Sequence, residues 1–223
     1  MARWMWGASL IIQMVGILLA IPLGRQYLAV YALSMLLFWM YSSPWVRWKG
    51  RPIKSLIAIG ISTGFDSVLL GYLAAGNHSI PVPIFIAALG VTFLLLSLYP
   101  ISQIYQRDED SRRGDQTFAV QYGFSIVFHF FEVAYLIGLI LISSIIIYYH
   151  TLMGLLFGIV GLAIGIIIRS FIKTLTTGSD DYSKIMRIKY GTSLAFVFFL
   201  LFGLIIKHSA LSGISSVVNL LLK

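Results

Sequence analysis

The sequence predicts an all-α, polytopic membrane protein, a single bundle of about seven spanning helices in one domain over residues 1–223. Three observations predict it. Apolar residues make up 59% of the chain and charged ones only 11%, whereas roughly a quarter of an ordinary soluble domain is charged. The charges are crowded into short stretches between apolar runs of roughly 20 residues, the length a helix rising 1.5 Å per residue needs to cross about 30 Å of hydrocarbon. A soluble core buries one stripe of each helix and has no use for such runs. Finally, when the spans are taken to alternate in direction, the basic residues sort to one side.

Breakers and charges place the elements in order. The first span covers Met5 to Leu23 and turns at Gly24-Arg25; with no cleavage site before a polar region, it is a retained helix and not a signal peptide. The second runs from Tyr27 to Tyr41 and stops at Ser42-Ser43-Pro44, ahead of a basic loop holding Arg47, Lys49, Arg51 and Lys54. The third, Ser55 to Ala75, is rich in small residues, and Gly60, Gly64, Gly71 and Gly76 are expected to allow close helix packing. Pro81 and Pro83 open the fourth, which closes at Tyr99-Pro100. A long polar stretch, Ser102 to Gln116, follows. The fifth span occupies Phe124 to Tyr148, the sixth Thr151 to Ile172 and the seventh Thr192 to Ile206, with a second polar loop, Lys173 to Tyr190, between the last two. Ser209 to Lys223 reads as a short amphipathic tail helix. Trp4, Trp6, Trp45 and Trp48 suit an interfacial belt.

Alternating spans put 13 of the 16 Lys and Arg residues on the side of the N-terminus and the loops after spans two, four and six; only Arg25, Lys207 and Lys223 fall opposite. That bias places the N-terminus and the acidic loop in the cytoplasm, in an inner or plasma membrane. The net charge of +8 therefore reports topology in a lipid bilayer, and no nucleic-acid partner is expected. With no cysteine, disulfides and thiolate metal sites are excluded.

Six of the eight acidic residues lie on the same side, the exceptions being Asp66 and Glu132. Asp108, Glu109, Asp110 and Asp115 are interleaved with Arg107, Arg112 and Arg113. A solvated connection is the ordinary explanation of such a loop. Carboxylates among arginines at the mouth of a bundle also suit Mg²⁺ bound with phosphate, because Mg²⁺ takes oxygen ligands and arginine forks neutralise phosphate. On a helical extension, Gln106 and Asp110 would lie four apart on one face.

The order of these residues resembles a known pattern. Gln106-Arg107-Asp108-Glu109-Asp110, with Gly114 and Thr117 beyond, is similar to the second aspartate-rich motif of the UbiA superfamily of intramembrane prenyltransferases. Gln106 stands where the first aspartate is usual. Tyr41-Ser42-Ser43-Pro44 with Arg47 and Lys49 resembles the family's Tyr-x-x-Pro and basic loop, and Asp181 to Arg187 its loop before the last helix. The three stretches occur in the family's order and correspond to its C-terminal seven helices. The family's first motif, Asn-Asp-x-x-Asp-x-x-x-Asp, has no counterpart, since neither Asn77 nor Asn219 precedes an aspartate. The expectation is a chain without the family's first two helices, either a shortened product, a misplaced start or a diverged member, with a missing N-terminal segment or a partner in its place.

The resemblance implies transfer of an isoprenyl group from an allylic diphosphate to an aromatic or other lipophilic acceptor, with Mg²⁺ as cofactor. By analogy Asp110 and Gln106 are the catalytic residues and, with Asp108, the metal ligands; Arg47, Lys49 and Arg113 bind the diphosphate. A neutral glutamine and the missing motif predict impaired activity for this chain alone. Two other functions remain open: a non-catalytic membrane scaffold of the same fold, and a small proton-coupled transporter. The transporter would use a buried polar site of Asp66, His129 and Glu132, because ionisable residues at membrane depth mark function by default. The bland alternatives are an Asp66 bonded to Ser62 or Ser67, and a His129–Glu132 pair satisfying each other.

Overall fold

The computed structural model describes residues 2–175 and 181–221, which are mostly helical with no strand among them. Helix α1 (Ala2–Ala20) ends in a tight turn, and α2 (Arg25–Ser42) returns. Gly24 joins them at φ 98°, a left-handed conformation that costs glycine nothing because it lacks a Cβ. The third span is α3 (Pro52–Ile59), a π-helical turn over Gly60–Phe65, and α4 (Asp66–Ala74). The fourth is α5 (Val82–Leu98), followed by a 3₁₀ stretch, Pro100–Gln106, and the short α6 (Arg107–Arg112). Then come α7 (Phe118–Tyr149), α8 (Thr151–Ile172) and α9 (Tyr182–Leu221).

These make seven rods at the seven expected places. Five described helices are long and apolar enough to cross a membrane, and Gly7–Leu23 is a shorter apolar helix. The chain is thus an integral, multi-pass helical protein.

Three boundaries differ from the sequence expectation. The polar stretch Ser102 to Gln116 is mostly helical, because Pro100 starts a 3₁₀ turn that buries Ile101 and Ile104 and leads into α6, where Arg107, Asp108, Glu109 and Arg112 are exposed. The fifth helix begins six residues early, at Phe118, and is broken at Gly123 (φ 73°). The seventh begins ten residues early, at Tyr182, and continues into the expected tail as one helix to Leu221. Its first turns are retained because Ile185 and Ile188 are buried in the core. Residues 176–180 of the second polar loop lie outside the described residues.

Close approach organises the bundle. A Cβ on Gly64 would lie 2.8 Å from the Thr92 backbone, and one on Gly60 3.0 Å from Leu96, so α5 packs directly on the third span. Gly71 and Gly76 meet nothing within 4 Å, so the packing role expected of all four glycines belongs to two. On the other face of α5, a Cβ on Gly138 of α7 would lie 2.7 Å from the Leu94 amide nitrogen. Lipid offers apolar surface as readily as a neighbouring helix does, so close van der Waals approach through small residues holds such helices together.

The largest buried cluster gathers at one end. Ile101, Ile104, Phe118, Val127, Phe131, Ile172 and Ile185 come from the 3₁₀ stretch, α7, α8 and α9. Next to it, a cavity of about 420 Å³ lies between α5, α7, α8 and α9. Its wall is apolar, with Leu94, Leu139, Phe157 and Phe199, while Tyr99, Lys189 and Thr192 also border it.

Candidate active site

The polar cap is built from two loops and a short helix. Helix α6 stops in a glycine-terminated motif: Gly114 sits at φ 75°, its N–H donates to Ser111 O at 3.0 Å, and the Asp115 N–H donates to Asp110 O at 2.9 Å. These two bonds are the Schellman pattern, which satisfies the last carbonyls of a helix and requires a left-handed residue at this place. The Gly four residues after Asp110 is therefore a stop signal that turns Asp115 back toward the basic loop.

Arg47 receives it. Arg47 Nε and Nη2 each donate to one Asp115 oxygen at 2.8 Å, a two-pronged ion pair in which the Asp115 side chain is 9% exposed. The Gln116 N–H also donates to Gly50 O at 2.9 Å. A Cβ on Gly50 would collide with Asp115 Oδ1, so glycine is needed there for the two loops to meet. Arg47 is the one described non-glycine residue with positive φ, at 44°; left-handed backbone is uncommon outside glycine and persists where its surroundings hold it. The Arg47 guanidinium, hydrogen-bonded to Asp115, pushes that carboxyl below its ordinary range, and the positive charges of Lys49 and Arg113 act in the same direction.

Asp110 is half-buried on the inner side of α6. It lies within electrostatic reach of Asp115, Arg113 and Glu109, and of Tyr41 and Tyr105. The Tyr41 and Tyr99 hydroxyls share a hydrogen bond of 3.1 Å, and Tyr99 also borders the apolar cavity. A polar path thus leads from Asp110 through Tyr41 to the cavity. Buried Gln103 holds the start of α7 in place, its Oε1 accepting from the Ala119 N–H at 3.3 Å.

The cap brings together Asp110, Arg47, Lys49 and Arg113 of the predicted site. Arg113 is exposed and paired with Glu109 one turn back. Asp108 is exposed on α6, and Gln106, also exposed, donates its Nε2 to the Tyr105 hydroxyl at 2.9 Å, leaving Oε1 available. The stretch before the last helix joins the same end: Tyr182 packs edge-on against Tyr105 at 5.1 Å, and Lys184 reaches buried Asp181 at 3.4 Å. Asp115, Tyr99 and Gln103 were not among the predicted site residues. Only the glycines at 50 and 114 hint at them, and only once the two loops are known to touch.

The predicted buried polar site is not one site. Asp66 accepts from Ser34 Oγ of α2 at 2.7 Å, and not from Ser62 or Ser67, which donate to carbonyls of their own helix. Glu132 pairs with Arg169 of α8, and His129 donates Nδ1 to Ser125 O at 2.8 Å. The expected His129–Glu132 contact is thus replaced by a separate partner for each, because Glu132 finds a cation on α8.

No group of three or more His, Asp or Glu side chains able to hold a metal occurs among the described residues. Mg²⁺ usually takes one or two protein carboxylates and completes its shell with water and substrate phosphate. Asp110 and Asp108, with Gln106 Oε1 as a neutral oxygen, are the residues that would hold such an ion, since Asp115 and Glu109 are already paired with arginines.

Neither the curated proteins nor the solved structures give a match. The model of the UbiA prenyltransferase family matches residues 2–202. A match over most of the chain, on a membrane helix bundle with a polar cap at one end, shows that this protein belongs to the UbiA prenyltransferase family, with a prenyltransferase-type function in general terms.

Proposed function

We propose that the protein binds an allylic prenyl diphosphate, with the diphosphate under the polar cap and the prenyl chain in the cavity between α5, α7, α8 and α9, and transfers the prenyl group to an aromatic or other lipophilic acceptor. The cap faces the cytoplasm on this reading. The observation that carries it is the Arg47–Asp115 clamp. It brings Arg47 and Lys49 from one loop to Arg113 and Asp110 of another, at the end of the bundle where the apolar cavity meets Tyr99.

Arg47, Lys49 and Arg113 supply positive charge to the diphosphate, and arginine forks match phosphate oxygens in pairs. The Arg47–Asp115 pair holds the Arg47 fork in one orientation. Asp110 and Gln106 offer the oxygens that would hold Mg²⁺, which when bound neutralises charge on the departing pyrophosphate. Pre-placed charge of this kind stabilises a leaving group without reorganisation during reaction. Tyr41, Tyr99 and the phenyl rings of the cavity present aromatic faces to the cation-like allylic carbon. With a neutral glutamine at position 106 and two of the four cap carboxylates paired with arginines, transfer by this chain alone is expected to be slow.

The test is binding of a labelled, non-reactive prenyl diphosphate analogue to the purified chain in nanodiscs, with and without Mg²⁺. Binding should require Mg²⁺ and weaken at least about tenfold in Asp110→Ala, equivalent to about 1.4 kcal/mol. Equal binding by wild type and variant would remove Asp110 from this role.

A further inference from the structure

A second cavity, of about 300 Å³, lies roughly midway along α1, α2 and the third span, between them. It is lined by Gln13, Tyr31, Ser34, Ser62 and Ser67, with apolar side chains completing the wall. So many hydroxyls at membrane depth are unusual, because lipid provides nothing for them to bond. Directly behind Ser34 stands Asp66, 2% exposed, with Oδ2 bonded to the Ser34 hydroxyl. A carboxylate in this position is costly unless something balances it. The cap chemistry does not use it.

The direction of the hydrogen bonds selects the occupant. A hydroxyl has one proton to donate and two lone pairs to accept with. Ser34 donates to Asp66 at 2.7 Å, Ser62 to Ala58 O at 2.6 Å, and Ser67 to Gly64 O at 2.8 Å. Gln13 turns its amide nitrogen to Ser9 Oγ at 3.3 Å, leaving its carbonyl oxygen open. Three serine oxygens are therefore acceptors whose own protons are engaged elsewhere, and Gln13 adds an amide oxygen; the donors facing the cavity are the second Gln13 N–H and the Tyr31 hydroxyl. With the Asp66 carboxylate directly behind Ser34, this acceptor-rich wall favours a cation over an anion. The helix supports this locally. Between Gly60 and Phe65 it widens to a π-turn, in which the Asp66 N–H reaches back five residues to Ile61 O, and such turns are frequent at functional sites.

We propose that this cavity is an intramembrane site for a monovalent cation, coordinated by the oxygens of Ser34, Ser62, Ser67 and Gln13 and neutralised by Asp66. One carboxylate matches one positive charge, whereas divalent ions draw on more carboxylates or on phosphate. The cation has two possible sources, an alkali ion with its waters or a small protonated amine. Both carry the right sign, the ion taking oxygen lone pairs and the amine donating N–H bonds to them, and both fit the volume. Bound there, the cation ties α1 and α2 to the third span.

The test uses the purified full chain in nanodiscs. Equilibrium binding of labelled sodium, rubidium (for potassium) and methylammonium is measured, together with thermal unfolding in each chloride salt against N-methylglucamine chloride at the same ionic strength. At least one small cation should bind saturably and raise the unfolding temperature by roughly 5 °C at saturating salt. Sodium or rubidium binding identifies an alkali ion; methylammonium binding alone identifies an amine. Asp66→Asn should abolish binding, and Ser34→Ala and Ser62→Ala should each weaken it about tenfold by removing one oxygen ligand. Should Asp66→Asn fail to fold, the two serine variants decide. Saturable binding of none of the three cations, or binding unchanged by these substitutions, would overturn the proposal.

Discussion

At residue scale the cap depends on backbone conformations that few residues accept. Gly114 at φ 75° ends α6 and aims Asp115; Gly50 leaves room for it; Arg47 is held left-handed beneath it. The pair these three create can be tested by pH. Arg47 stabilises the ionised form of Asp115, so the folded carboxyl has the lower pKa, and its stabilisation is present above the unfolded value and lost as pH falls through the folded one. The unfolded value is about 3.9. The clamp should therefore hold at pH 5 and weaken only below about pH 4. Asp115→Asn should cost about 1–2 kcal/mol at neutral pH, less than a fully buried pair because Arg47 is 41% exposed. It should also flatten the acid limb of the wild-type profile. Thermal unfolding across pH measures both effects, and an acid limb identical in wild type and variant would rule Asp115 out as its source.

At element scale the third span shows why one pattern of small residues carries two meanings. Gly60 and Gly64 face α5, where a side chain would meet Leu96 or the Thr92 backbone, while Gly71 faces open space. A backbone atom cannot swing aside as a side chain can. Gly64→Val should thus destabilise the bundle by about 1–3 kcal/mol through overpacking. Gly71→Ala should be neutral or stabilising by up to about 1 kcal/mol, since alanine is the better helix former. Denaturation of the two variants side by side in one detergent checks the contrast; equal losses would mean that close packing is not what Gly64 provides. The 3₁₀ stretch after Pro100 illustrates a different point. Its Ser102, Gln103 and Gln106 suit a loop, yet Ile101 and Ile104 are buried, and two isoleucines three apart help to draw a polar segment into helix against a core.

At the scale of the whole molecule, the polar cap and the apolar cavity meet at Tyr99, which bonds to Tyr41 on one side and borders the cavity on the other. This joint predicts a separation of effects. Ala195, in the cavity wall, is remote in sequence from every cap residue, and Ala195→Phe should fill part of the space. Binding of a long-chain prenyl diphosphate should then fall about tenfold, while inorganic pyrophosphate binds as before. Loss of pyrophosphate binding as well would mean that the cavity and the cap are not separate parts of the site.

Much of this protein is legible without coordinates. The helical bundle, the places of its rods, the crowding of charge at one end and the resemblance to the family all follow from residue order, because lipid imposes length and apolarity on every span regardless of its neighbours. Asp110, Arg47 and Lys49 could be picked out because they stand in a recognisable order. Other features depend on which helix a side chain faces, and residue order is silent on that. Asp66, His129 and Glu132 read as one buried group, but the fold gives them three unrelated partners: Ser34 of α2, the Ser125 carbonyl of His129's own helix and Arg169 of α8. Asp115 read as one more loop charge until the fold brought Arg47 to it across 68 positions. Composition and periodicity determine what each segment must be in a membrane, since that is a contest between the segment and lipid. The pairing of carboxylates, and the two cavities between the rods, were decided by tertiary packing alone, because an ion pair or a void exists only where distant segments meet.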